Sequence, residues 1–108
     1  MGKSQRRKGH DFERWTAREF RRLYPDSRRY LDDVYGGSGI DVTAGPWAIQ
    51  CKAYHKYAPI AKIEEIEDPD RFPLLVTRGD YKMPMAVLPL HLLLLILEDV
   101  GIAYKGVK

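Results

Sequence analysis

With one cysteine, Cys51, among its 108 residues, the chain cannot build an intramolecular disulfide framework. No signal-peptide pattern is present either, which sets the expectation of a reducing, cytoplasmic setting. His10, His55 and His91 stand far apart and have no second cysteine to join them, so a zinc site is poorly supported. The longest apolar run, Leu92 to Leu97, is far shorter than the ~20 residues needed to cross a bilayer. No membrane partner is expected. Phosphate-cradling and dinucleotide fingerprints are missing: the GGSG at residues 36–39 leads into a strand rather than a helix, so no small-molecule cofactor is expected. No serine or cysteine is placed to be served by a histidine, which argues against a nucleophilic triad. Internal repeats, linkers and low-complexity segments are absent.

What is present reads as one domain, residues 1–108, with 44% hydrophobic residues to build a modest core. The net charge of +3 hides an asymmetry. Residues 1–56 hold twelve Lys or Arg against seven Asp or Glu, whereas residues 57–108 hold six against eight. A basic half beside a near-neutral half suggests that one side of the molecule meets a polyanion.

Residues 1–9 are polar and basic and read as a mobile arm. His10 to Tyr24 follows a helical period, with Phe12, Trp15, Phe20 and Leu23 on one arc, Glu13 at its edge, and Arg14, Arg18 and Arg21 opposite. Arg28 to Leu31 can form a short strand, and Asp32 to Gly39 a glycine-rich loop. Ile40–Ala44 and Trp47–Tyr54 flank Gly45-Pro46 as a β-hairpin. Tyr54, His55, Lys56 and Tyr57 interleave aromatic and basic side chains, as suits a nucleic-acid backbone. Pro59–Glu67 reads as a short helix whose acids should keep it away from a charged ligand. Phe72–Thr77 and Met85–Leu88 read as strands, and Leu90–Val100 as a terminal helix, apolar nearly all round its first turns. Such a helix needs covering, in part by a second copy, so a homodimer is expected. The order implies an α/β domain with a mixed sheet.

The hairpin carries the chemistry. If Gly45-Pro46 is a two-residue loop, Ala44 faces Trp47 and Asp41 falls opposite Gln50. Alternation with period 2 then puts Asp41, Gln50 and Lys52 on one face, and Ile49 and Cys51 on the other. Opposite Cβ atoms lie about 5 Å apart, close enough for a carboxylate and an amide oxygen to share a hard cation. A one-residue slip would undo this, and proline at the second turn position leaves a longer or bulged loop open. A half-buried sheet with its polar residues facing water fits the spacing as well.

The glutamate of KGHDFER, then SGID, then AIQCK together resemble the PD-(D/E)xK nuclease superfamily. Within it they are similar to the small archaeal-type Holliday-junction resolvases, which also occur in phage-related forms. The resemblance spans residues 6–57 by motif. It implies a restriction-endonuclease-like α/β fold, a mixed β-sheet of about five strands flanked by helices. It further implies that Glu13 and Asp41 are metal-binding acids, that Gln50 takes the place usually held by a glutamate, and that Lys52 is the catalytic lysine. Ser38 would be a loop serine near the scissile phosphate, and Cys51 would offer only its backbone carbonyl to the metal.

The family's members are Mg²⁺-dependent homodimers that cut four-way DNA junctions symmetrically. Mg²⁺, or Mn²⁺ in its stead, is therefore the expected cofactor, and hydrolysis of DNA phosphodiesters the expected reaction. Arg6, Arg7, Lys8, Arg14, Arg18 and Lys56 are the expected grips on DNA phosphates. A neutral Gln50 should hold metal less tightly than a glutamate. A restriction- or repair-type endonuclease acting on duplex DNA and a non-catalytic DNA-binding module are the alternatives.

Overall fold

The computed structural model describes residues 2–30 and 38–100, and of residues 2–6 the backbone alone. Helix α1 (Gly2–Phe20) leads into strands β1 (Arg28–Arg29), β2 (Val42–Ala44) and β3 (Trp47–Ala53). A 3-10 helix (Ile60–Glu65), β4 (Phe72–Arg78), β5 (Met85–Val87) and α2 (Leu90–Val100) follow. The five strands lie side by side in chain order, antiparallel except for β3 and β4, which are parallel. This is the mixed five-stranded α/β sheet with flanking helices that the sequence implied. Parallel neighbours need a crossover rather than a hairpin, and residues 54–71, carrying the 3-10 helix, provide it.

Gly45-Pro46 closes a two-residue loop, with Ala44 paired to Trp47 and Val42 to Ile49. Gly45 has φ +52°, as a primed hairpin turn demands at its first central position, and proline's fixed negative φ at the second leaves type II′. A Cβ on Gly45 would lie 2.3 Å from the Tyr24 ring, and the Tyr24 hydroxyl accepts the Trp47 indole N–H at 3.2 Å. The turn is thus sealed by the chain that leaves α1.

Two expectations are corrected in α1. The helix reaches back to Gly2 through residues expected as a mobile arm, and it stops at Phe20 rather than Tyr24. Pro25 disfavours helical backbone at the preceding residue, so the chain leaves through a tight turn in which the Tyr24 N–H still reaches the Phe20 carbonyl at 2.9 Å. That turn takes Leu23 off the apolar arc and leaves it exposed. Tyr24 packs against the core in its place.

The core is asymmetric across the sheet. Trp47, Ile49 and Cys51 of β3, Val42 and Ala44 of β2, and Leu74 and Val76 of β4 meet Phe12 and Ala17 of α1, with Leu92 of α2 completing the cluster. Phe12 stacks on Trp15 with ring centres 5.6 Å apart, and the Arg78 guanidinium sits 4.9 Å from the Phe12 ring centre. The alternate residues Ala48, Gln50, Leu75 and Thr77 are equally buried. Thr77 Oγ1 accepts the Ala58 N–H at 2.8 Å, so the crossover segment covers this second face.

Candidate active site

At the end of the β2–β3 hairpin an open cleft of about 780 Å³ is lined by Glu13, Asp41, Cys51, Lys52, Lys8 and Asp80, among others. Asp41 arrives there because the β2–β3 pairing ends at Val42, so its carboxylate no longer stands in the sheet. Its Oδ2 accepts the Cys51 N–H at 2.8 Å, while its own N–H bonds the Ile49 carbonyl at 2.8 Å. Both contacts hold Asp41 against β3, one residue away from Lys52. The expected pairing of Asp41 with Lys52 in one site is therefore present.

Glu13 enters the cleft from α1, where the helix packs over β3. It does not point there unopposed: its Oε1 accepts Arg29 Nη2 at 2.9 Å and Nε at 3.2 Å. Both side chains are largely buried, so the pair is a fixed feature that ties the helix to β1. Arg29 had no assigned part in the sequence reading, and its signal there, one of two adjacent arginines in a short strand, does not reveal the partner.

Gln50 departs from the expectation. It does not line the cleft with Asp41; it is 2% exposed and its Nε2 donates to Glu65 Oε1 at 2.9 Å. Its Oε1 is buried and has no hydrogen-bond partner among the described residues. Glu65, at the end of the 3-10 helix, also accepts the Lys62 ammonium on Oε2 at 3.0 Å. Lys62 and Gln50, helped by the field of Lys52, hold the Glu65 carboxyl below the usual carboxylate range. The crossover that joins the parallel strands returns this acidic helix over the buried face of β3 that carries Gln50.

Ser38 sits beside the same helix. Its Oγ accepts the Ile40 N–H at 3.3 Å and its carbonyl accepts the Glu67 N–H at 2.8 Å. Next to it, Gly39 has φ +73°, and a Cβ there would fall 2.3 Å from the Glu65 carbonyl oxygen. The loop bringing Asp41 into the sheet is thus pressed directly on the residue that holds Gln50. Cys51 is buried, and burial pushes its thiol well above the ordinary range; its sulfur belongs to the core, not to a ligand set.

The expected phosphate grips divide. Arg7, Arg14, Arg18 and Lys56 are exposed, Arg14 alongside Asp11 at 3.1 Å, a surface pair that costs little to break. The Arg6 side chain lies outside the described residues. Lys8 turns into the cleft, where it pairs with Asp80 and reaches the Tyr54 carbonyl at 3.3 Å. His55 Nδ1 lies 2.9 Å from the other Asp80 oxygen. Lys8 and His55 hold the Asp80 carboxyl below its ordinary range. The sequence reading did not single out Asp80, because its partners lie 72 and 25 residues away.

The oxygen donors that line the cleft are the carboxylates of Asp41, Glu13 and Asp80. That donor set suits Mg²⁺ or Mn²⁺. Among the described residues no three His, Cys, Asp or Glu side chains gather closely enough to hold a metal ion by themselves. A cation here needs amide or carbonyl oxygens, or water, as well. No helix among the described residues is long and apolar enough to cross a membrane. Comparisons with protein-family models, with curated proteins and with solved structures find no match to this chain.

Proposed function

We propose that this protein is a Mg²⁺-dependent endodeoxyribonuclease of the PD-(D/E)xK type that resolves four-way DNA junctions by paired phosphodiester hydrolysis. The observation that carries the reading is the meeting of Asp41, Lys52 and Glu13 in one open cleft beside a helix whose outer side presents Arg7, Arg14 and Arg18. An acid at a strand end, a lysine on the paired strand and a helical acid are the parts that such hydrolysis uses.

A divalent cation bound at this site would polarise the scissile phosphate and acidify a water. Asp41, anchored by the Cys51 N–H, supplies a fixed carboxylate for that purpose, with Glu13 in support. Lys52 offsets the negative charge that builds on the phosphate during attack, or orients the water. The exposed arginines and Lys56 engage phosphates away from the cut. With six or more such contacts, binding should fall by roughly three powers of ten between low and physiological salt.

A junction has two strands to cut, which calls for two sites. Leu90, Leu93, Leu94, Leu95 and Val100 on α2 are exposed, and a second copy packed on this face would provide the other site. Light scattering of the purified protein reads that state directly.

One observation favours the non-catalytic alternative: Glu13 is already neutralised by Arg29, as in a structural ion pair. The deciding experiment is cleavage of a labelled four-way junction and of linear duplex built from the same arms, with Mg²⁺, by the wild type and Asp41→Ala. Symmetrical nicks in the junction alone, lost in Asp41→Ala while junction binding persists, are expected. Equal cutting of duplex supports a restriction- or repair-type enzyme, and binding without any cutting supports the DNA-binding module.

A further inference from the structure

The turn between β4 and β5 breaks a local rule at the rim of the cleft. Residues 79–82 close with the Lys82 N–H on the Gly79 carbonyl at 3.2 Å, and the third of them, Tyr81, has φ +58°. Positive φ at the third position is the mark of a type II turn, where glycine or asparagine fits and a bulky side chain is strained. No burial offsets that strain, because Tyr81 is fully exposed. We propose that Tyr81 is a stacking platform for a base whose face is uncovered where duplex stacking is interrupted, and that it sets a preference for junctions over continuous duplex. The inference rests on the nuclease reading above and adds a specificity residue to it.

The turn is fixed to the wall of the cleft. Lys8 of α1 pairs with the Asp80 carboxylate, and the Asp80 N–H reaches the His55 carbonyl at 3.1 Å. A Cβ on Gly79 would lie 3.3 Å from that same carbonyl oxygen. Beyond the turn, the Tyr57 hydroxyl donates to the Met83 carbonyl at 2.8 Å. The segment that follows β3 thus grips the turn on both sides of Tyr81 and holds its strained backbone in place.

Position gives the ring its task. Asp80 lines the cleft that holds Asp41 and Lys52, and it also lines a second cavity with Arg78, Tyr81 and Lys82. The two cavities share that wall, so a strand leaving the first enters the second. There Arg78, resting on the Phe12 ring, and Lys82 offer charge to phosphates, while the tyrosine offers an apolar face. Stacking on an aromatic ring is open to every base, because every base has a π-face. In continuous duplex both faces are covered by neighbouring pairs, whereas a junction or an unpaired base leaves a face uncovered. An exposed ring held at the cost of backbone strain is the kind of local inconsistency that marks functional positions.

Fluorescence anisotropy without divalent cation tests this on three labelled DNAs built from the same arms: a four-way junction, a duplex with one unpaired base, and a continuous duplex. The proteins are wild type, Tyr81→Gly, Tyr81→Trp and Lys82→Ala. Glycine suits the left-handed position, so Tyr81→Gly should melt no lower than wild type. It should weaken binding of the junction and of the unpaired-base duplex by about tenfold or more, and leave continuous duplex and the salt dependence as they are, since the ring carries no charge. Tyr81→Trp, which keeps a ring, should bind as the wild type does. Lys82→Ala should weaken all three alike and reduce the salt slope by about one. If Tyr81→Gly binds the junction as the wild type does, or loses all three DNAs equally, the stacking assignment is overturned, and cleavage that Asp41→Ala abolishes still upholds the nuclease reading. If the wild type binds none of the three, both are overturned.

Discussion

Replacing Gly39 by alanine should destabilise the protein, because the added Cβ meets backbone that cannot yield. Gly39 has φ +73°, which costs an L-residue roughly 1–2 kcal/mol. The new Cβ would stand 2.3 Å from the Glu65 carbonyl oxygen and 2.7 Å from its carbon, and both are backbone atoms that cannot swing aside. Relief requires the loop and the 3-10 helix to separate, which breaks the hydrogen bond from the Glu67 N–H to the Ser38 carbonyl, worth about 1 kcal/mol. The total is roughly 2–4 kcal/mol once local overpacking is included. For a domain of this size each 1 kcal/mol moves the melting temperature by about 4–8 °C, so a fall of roughly 8–30 °C is expected. Thermal unfolding followed by circular dichroism in chelator measures it. A fall of less than about 4 °C, below even the left-handed backbone cost, would refute the packing argument.

Gly9→Ala should act in the opposite direction: it lies within α1 with nothing within 4 Å of a new Cβ, so a gain of about 0.5–1 kcal/mol in urea unfolding is expected. Arg29→Ala leaves Glu13 largely buried without its bidentate partner and should cost about 1–3 kcal/mol in the same assay; Arg29→Ala indistinguishable from wild type would show that the pair is not rigid. The Asp80 carboxyl is held low by Lys8 and His55, so its contribution to stability is present above the ordinary aspartate range and fades as pH falls through its lowered pKa. Asp80→Asn should accordingly melt lower than wild type at neutral pH, with the gap closing in strong acid. Burial keeps Cys51 a neutral thiol, and alkylation by iodoacetamide should be slow in the folded protein and fast in urea; rapid labelling of the native state would contradict its place in the core.

Local pattern marked the strands, the hairpin and the apolar faces of the helices, though not where α1 begins and ends. Alternating β-branched and aromatic residues around Gly45-Pro46 define the hairpin and its register, since a one-residue slip would turn Val42, Ile49 and Trp47 away from the face that packs on α1. The spacing of Phe12 and Trp15 defines the buried face of α1, and the apolar run from Leu90 defines α2. That register brings Asp41 to the edge of the hairpin, where its bond to the Cys51 N–H sets it beside Lys52.

Tertiary structure decided which polar groups pair with one another. Gln50 sits on the predicted strand, yet its amide goes to Glu65, a partner brought over the sheet by the crossover that parallel β3 and β4 require. Glu13 and Arg29, Lys8 and Asp80 are likewise joined across 16 and 72 residues. Periodicity reports which face a side chain takes, a property of a few neighbouring residues. Which charge stands opposite it depends on how separate elements dock, and no local pattern encodes that.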